Sequence, residues 1–91
     1  MNKQTRKQLA ELRDKVDSLK SQLLDLSEQV QEIRDEEDDK YYNLPDGLQE
    51  SKVGQAIQEN VEYLEDIVYN FEQVESSFDT LLDSFDELME L

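Results

Sequence analysis

Hydrophobic residues recur at alternating intervals of three and four through the first third of the chain. They are Leu9, Leu12, Val16, Leu19, Leu23, Leu26, Val30 and Ile33. Successive a and d positions of a heptad are therefore all apolar, a pattern typical of a coiled-coil helix. Because no glycine or proline precedes Pro45, the pattern predicts one helix from about residue 3 to about residue 41.

A turn signal interrupts this pattern near the middle of the chain. The run from Asn43 to Gly47 contains Pro-Asp-Gly, and Ser51 is a suitable N-cap for a following helix. A second apolar series then begins, with Asn60 as its one polar member. Its members are Val53, Ile57, Asn60, Leu64, Ile67, Phe71, Val74, Phe78, Leu81, Phe85 and Leu88. The sequence thus predicts a turn over about residues 42–51 and a second helix over about residues 52–90.

Two long helices of similar length joined by a short turn indicate an antiparallel pair. We therefore predict an all-α fold, a two-helix coiled-coil hairpin that occupies residues 1–91 as one domain. Matching the two apolar series places Leu9 opposite Phe85 and Leu23 opposite Phe71. In the same register Lys20 is expected to meet Glu75.

The apolar stripe of the second helix is wider than one neighbouring helix can cover. Its e positions are also apolar, and they are Val61, Val68, Leu82 and Met89. A stripe three rows wide is typical of a helix with two neighbours. We therefore expect two hairpins to form a homodimeric four-helix bundle, with these e positions at the interface.

Composition narrows the chemistry that the chain can perform. It has 24 Asp and Glu residues, 9 Lys and Arg residues and a formal charge of -15, which argues against direct binding of nucleic acid or of an anionic membrane. Cys, His and Trp do not occur, so thiol and imidazole chemistry and the usual zinc ligands are excluded. We predict no cofactor, no metal site and no enzymatic activity, since a thin bundle offers no enclosed pocket. Without a long apolar run, the chain is expected in the cytoplasm.

An acidic line on the second helix is the main candidate for partner binding. Glu65, Glu72, Asp79 and Asp86 recur every seven residues, and we expect them opposite the seam. Such a line can compete with a phosphate backbone for a basic groove, or it can serve only solubility. Tyr41 and Tyr42 near the turn are candidate contact anchors, or they pack over the end of the hairpin.

The turn region also carries a resemblance. Ile33 to Glu37, Tyr42 to Pro45 and Leu48 to Ser51 resemble the turn of small acidic helical proteins from phages, prophages and mobile elements of Gram-positive bacteria. That group has no settled activity, so the resemblance implies a bacterial host and a genomic setting. It favours an inhibitor that blocks a basic, nucleic-acid-binding surface of a host protein. The alternative is a coiled-coil scaffold whose acidity serves solubility.

Overall fold

A computed structural model describes residues 1–90 of the chain as two long helices joined by a short one. The elements are α1 (Lys3–Tyr42), α2 (Asp46–Gln49) and α3 (Lys52–Glu90). The helices α1 and α3 lie antiparallel along a rod whose Cα atoms extend over 70 × 15 × 13 Å. Among the described residues there is no strand, and the predicted all-helical hairpin is confirmed.

Local hydrogen bonds explain where α1 begins and ends. The Asn2 side chain accepts a hydrogen bond from the Thr5 amide at 2.8 Å, which satisfies one of the free amides at the helix start. At the other end the Asn43 amide donates to the Asp39 carbonyl at 2.9 Å. Lys40 in the last turn places a positive charge near the negative end of the helix dipole.

The connection between the long helices contains the short helix α2, which the sequence reasoning did not predict. Pro45 precedes it, and the Pro45 carbonyl accepts a hydrogen bond from the Leu48 amide at 2.8 Å. Ser51 lies at the start of α3, where its Oγ accepts from the Gly54 amide at 3.5 Å. A Cβ atom on Gly54 would lie 2.0 Å from the Gln49 carbonyl oxygen. Glycine at this position therefore allows α2 to fold back against α3.

The two long helices meet along their a and e positions. The a positions, such as Leu23 and Phe71, face the partner helix as predicted. The second row in contact is the e row, which in α1 comprises Arg13, Lys20, Ser27, Arg34 and Tyr41. In α3 the e row comprises Val61, Val68, Glu75, Leu82 and Met89. Val68 and Leu82, at 6% and 7% exposed, are the two buried apolar side chains of the described chain.

This arrangement corrects the predicted dimer interface. Val68 and Leu82 were expected on an outer face of α3, yet they are buried against α1 within the single hairpin. Val61 and Met89 are half-buried along the same seam. The prediction that this row lies free for a second chain is therefore wrong, because α3 packs against α1 through its a and e rows.

The d positions, predicted to fill the seam, are left on the surface. Eight of their large apolar members are between 40% and 52% exposed. They are Leu12, Leu19, Leu26 and Ile33 in α1 and Ile67, Val74, Leu81 and Leu88 in α3. In an antiparallel pair that meets through a and e positions, both d rows flank the same side of the seam. One broad side of the hairpin is consequently apolar.

Candidate protein-binding surface

The predicted acidic line lies on the other broad side of the hairpin. Glu65, Glu72, Asp79 and Asp86 each follow an a residue of α3 and so occupy the b row. The b row flanks the e row, whereas the sequence reasoning expected these residues opposite the seam. That expectation was wrong because the seam is turned by one row relative to the predicted one.

Two members of the line form ion pairs with α1. Arg13 Nε donates to Asp86 Oδ1 at 2.5 Å and Arg13 Nη2 donates to Asp86 Oδ2 at 3.1 Å, a bidentate pair. This hydrogen bonding lowers the pKa of Asp86 and raises the pKa of Arg13. Lys20 Nζ lies 2.5 Å from Asp79 Oδ1. The half of the line nearest the chain ends is therefore neutralised within the hairpin.

The partner of Lys20 differs from the predicted one. Lys20 was expected to meet Glu75, but Asp79, four residues further along α3, takes the contact. The hydrogen bond with Asp79 is the main cause that raises the pKa of Lys20, and the negative charge of Glu75 adds to it. Glu75 is thus a close neighbour, and the ion pair of Lys20 lies about one helical turn further along α3 than predicted.

The half of the line nearest the turn is free of such pairs. Within residues 1–90, Glu65 and Glu72 form no ion pair. Glu65 lines a groove of about 250 Å³ between α1 and α3, which we call the turn groove. Its charged, aromatic and apolar lining residues are Asp38, Tyr41, Tyr42, Val61, Glu62 and Glu65. The structure therefore brings together three of the predicted partner-binding residues, Tyr41, Tyr42 and Glu65.

The two tyrosines of the turn groove have different environments. Tyr41 is half-buried at the end of the e row, so it helps to close the hairpin. Tyr42 is 69% exposed, and its ring meets that of Tyr41 edge-on with centroids 5.4 Å apart. Packing over the hairpin end thus accounts for Tyr41, whereas Tyr42 presents its ring to the surroundings.

A separate polar contact ties the helices together near the turn. The Glu37 carboxylate accepts a hydrogen bond from Lys40 Nζ at 2.6 Å and one from Asn60 Nδ2 at 3.5 Å. The bond from Lys40 is the main cause that lowers the pKa of Glu37. Glu37 and Asn60 lie toward the apolar side, so this contact leaves the turn groove open.

The sequence did not predict that Arg13 and Lys20 pair with the acidic line. It also did not predict that Asp38 and Glu62 line the turn groove. Arg13 and Lys20 are seven residues apart, as are Asp79 and Asp86, and this matched spacing was the available signal. Asp38 and Glu62 carried no comparable signal, because their proximity depends on how the helices are rotated about their axes.

In residues 1–90 no group of Asp and Glu side chains is arranged to hold a metal ion. No helix within that range is both long and apolar enough to span a bilayer. Comparisons with protein-family models, curated proteins and solved structures find no match to this chain. The resemblance at the turn therefore stays a hypothesis.

Proposed function

We propose that this chain is a non-enzymatic protein-binding module that covers a basic surface of another protein with its turn groove. The observation that supports the proposal is the meeting of Tyr41 and Tyr42 with Asp38, Glu62 and Glu65 in one concave surface. Tyrosine is enriched among the residues that dominate binding energies. Three carboxylates next to two aromatic rings match an arginine or lysine side chain in both charge and shape.

The chemistry of such a contact follows from the side chains. A guanidinium or ammonium group bound to the carboxylates can also lie against a tyrosine ring, which adds a cation–π attraction of about 0.5–2 kcal/mol. The net charge of -15 attracts a basic partner from a distance and speeds its association at low salt. Affinity should consequently fall as ionic strength rises.

The proposal does not require imitation of a nucleic-acid duplex. The b row repeats every seven residues, about 10 Å along the helix, whereas duplex DNA carries one negative charge per about 1.7 Å of its axis. Even the whole net charge of -15 along 70 Å is sparser than that. A local groove for a few basic side chains is the better physical match, and competition by free DNA is an outcome that an experiment can distinguish.

The biological setting belongs to the same proposal. A phage or mobile element of a bacterium would use such a module as an inhibitor that covers a functional basic surface of a host protein. Support comes from the resemblance at the turn and from the unpaired acids beside the tyrosines.

Charge reversal at the groove tests this function. The variant Glu62→Lys with Glu65→Lys changes the two α3 carboxylates that line the turn groove. It leaves the ion pairs of Asp79 and Asp86 intact, whereas reversal of the full acidic line would break them. The matched control is Glu59→Lys with Asp66→Lys, which makes the same charge change at exposed positions of α3 outside the turn groove.

The readout is capture of a partner from a bacterial lysate, with a photoreactive residue in place of Tyr42 to mark direct contact. We expect the groove variant to lose the partner and the control to keep it. Equal capture by wild type and the groove variant at physiological salt would refute the proposal, as would equal loss by both variants.

A scaffold function is the alternative, and one observation favours it. The d rows leave a long apolar side exposed in the single hairpin. This alternative requires hairpins to assemble, as in the four-helix bundle that the sequence predicts. Its acidity would then serve solubility, and partner capture would not depend on Glu62 or Glu65.

A further inference from the structure

The apolar side of the hairpin carries grooves as well as exposed side chains. We call this side, formed by the d rows of α1 and α3, the d face. A groove of about 220 Å³ crosses between the helices and is lined by Leu23, Ile67, Asn70, Phe71 and Val74. A second groove of about 150 Å³ lies further along α3, between Val74 and Leu81. Alternating ridges and grooves of this kind receive the side chains of a packed helix.

The border of the d face is almost free of charge. The positions that border it are the g rows of the two helices. In α1 these are Gln8, Lys15, Gln22, Gln29 and Glu36, and in α3 they are Ala56, Tyr63, Asn70, Ser77 and Ser84. One lysine and one glutamate give this border a net charge of zero in a chain whose net charge is -15.

We infer that a second copy of this chain covers the d face, so that two hairpins pack face to face as a four-helix bundle. Two molecules with charges of -15 repel each other over most orientations. The d face is the side on which they can meet without bringing acidic rows together. A basic partner would find almost no carboxylates there, which favours a second copy over the partner proposed for the turn groove.

The size of the d face fits a stable dimer. From Asn60 to Leu88 it runs about 42 Å at 1.5 Å per residue, and two helices are about 20 Å wide. Each copy would thus bury on the order of 800 Å², the area per partner of a standard specific interface. A two-fold axis would place the same residues of both copies in contact.

The inference is independent of the basic partner, because the turn groove lies on the opposite side. In a face-to-face dimer the two turn grooves point away from each other. Failure of dimerisation would therefore leave partner capture by the groove intact, and the reverse also holds.

Mass measurement by sedimentation equilibrium tests the inference directly. The wild-type chain should have about twice its 10.7 kDa mass at micromolar concentrations and above. Ile67→Glu with Leu81→Glu should raise the dissociation constant by about 100-fold or more, since carboxylates would be buried without partners. The control Tyr69→Glu with Ser76→Glu adds the same charge on the outer side of α3 and should remain dimeric.

A second measurement keeps the inference testable if the glutamate variant unfolds. The chain has no cysteine, so a spin label can be attached to Ser77→Cys or to Ser76→Cys in an otherwise native protein. Ser77 lines a groove of the d face, whereas the neighbouring Ser76 does not.

The label at Ser77 should be immobilised and should couple to its symmetry mate, and the label at Ser76 should stay mobile. A folded wild-type monomer at about 100 μM would refute the inference. So would a dimer in which Ser76 is the immobilised position, or one that survives both glutamates on the d face.

Discussion

Replacement of Gly54 by alanine isolates the contact that folds α2 back onto α3. The new methyl group would lie 2.0 Å from the Gln49 carbonyl oxygen and 2.8 Å from the Leu48 carbonyl oxygen. Both are backbone atoms, so no flexible side chain can move aside. The chain can relieve the clash only by a shift of α2 away from α3.

The magnitude follows from two opposing effects. Overpacking costs about 1–3 kcal/mol, and the severity of this clash places it in the upper part of that range. Alanine also has a higher helix propensity than glycine by about 1 kcal/mol, which acts in favour of the variant. We therefore expect Gly54→Ala to lower the free energy of unfolding by about 1–2 kcal/mol.

Gly47 provides the matched control. A Cβ atom there would meet nothing within 4 Å, and the residue does not have a positive φ. Gly47→Ala should therefore raise the free energy of unfolding by about 0.4–1 kcal/mol, because it restricts the unfolded chain. The same substitution seven residues apart should thus act in opposite directions.

Urea denaturation followed by far-UV circular dichroism, at one fixed protein concentration, measures both effects. Hydrogen exchange at the Leu48 amide gives a local readout, and it should speed up in Gly54→Ala alone. If Gly54→Ala proves as stable as Gly47→Ala, the close approach of α2 to α3 does not limit this position and the reasoning fails.

Three further predictions concern the seam, an ion pair and a helix cap. In dilute solution Leu82→Ala should lower the free energy of unfolding by about 2–5 kcal/mol and Leu81→Ala by less than about 1 kcal/mol, because only Leu82 of these two is buried in the hairpin. Equal losses of the two variants in urea denaturation would contradict a seam formed by the e row. Since the hydrogen bond from Arg13 lowers the pKa of Asp86, this pair stabilises the fold above the ordinary carboxyl pKa, and its contribution is lost as the pH falls through the lowered value. NMR titration should show the pKa of Asp86 rising in Arg13→Gln, and an unchanged value would refute the pairing. Ser51→Ala should lower the free energy of unfolding, measured by thermal unfolding, by about 0.5–1 kcal/mol. This is the lower half of the usual range for loss of an N-cap, because the hydrogen bond from the Gly54 amide to Ser51 Oγ is long at 3.5 Å. No loss of stability would mean that Ser51 is not an effective cap.

The existence and direction of the long helices follow from the sequence because the signals agree. Uninterrupted apolar periodicity predicts α1, and the proline and glycines between residues 45 and 54 mark where the chain reverses. The helix α2 carries no such periodicity, since four residues are too few to show a pattern. Its formation depends on the packing at Gly54, which only the structure reveals.

The choice of seam could not be read from the sequence for a physical reason. In α3 the a, d and e rows are all largely apolar, so either side of the a row could face α1. In α1 the e row contains Arg13 and Lys20, which periodicity alone assigns to the surface. Their aliphatic stems can cover apolar neighbours while their charges reach Asp86 and Asp79. The turn groove depends on the same rotation of the helices about their axes, so the proximity of Glu65 and Tyr41 cannot be read from the spacing of residues in the sequence.

The hydrogen bond from Arg6 to the Met89 carbonyl, at 2.7 Å, joins α1 to α3 far from the turn. Because α1 begins and α3 ends side by side there, a pulling force on these two ends would act across one layer of contacts at a time. The layers would break in order, first at Arg6, then at Arg13 and then at Lys20. Such unzipping needs far less force than sliding whole helices past each other, so this rod is mechanically weak when it is opened from its ends.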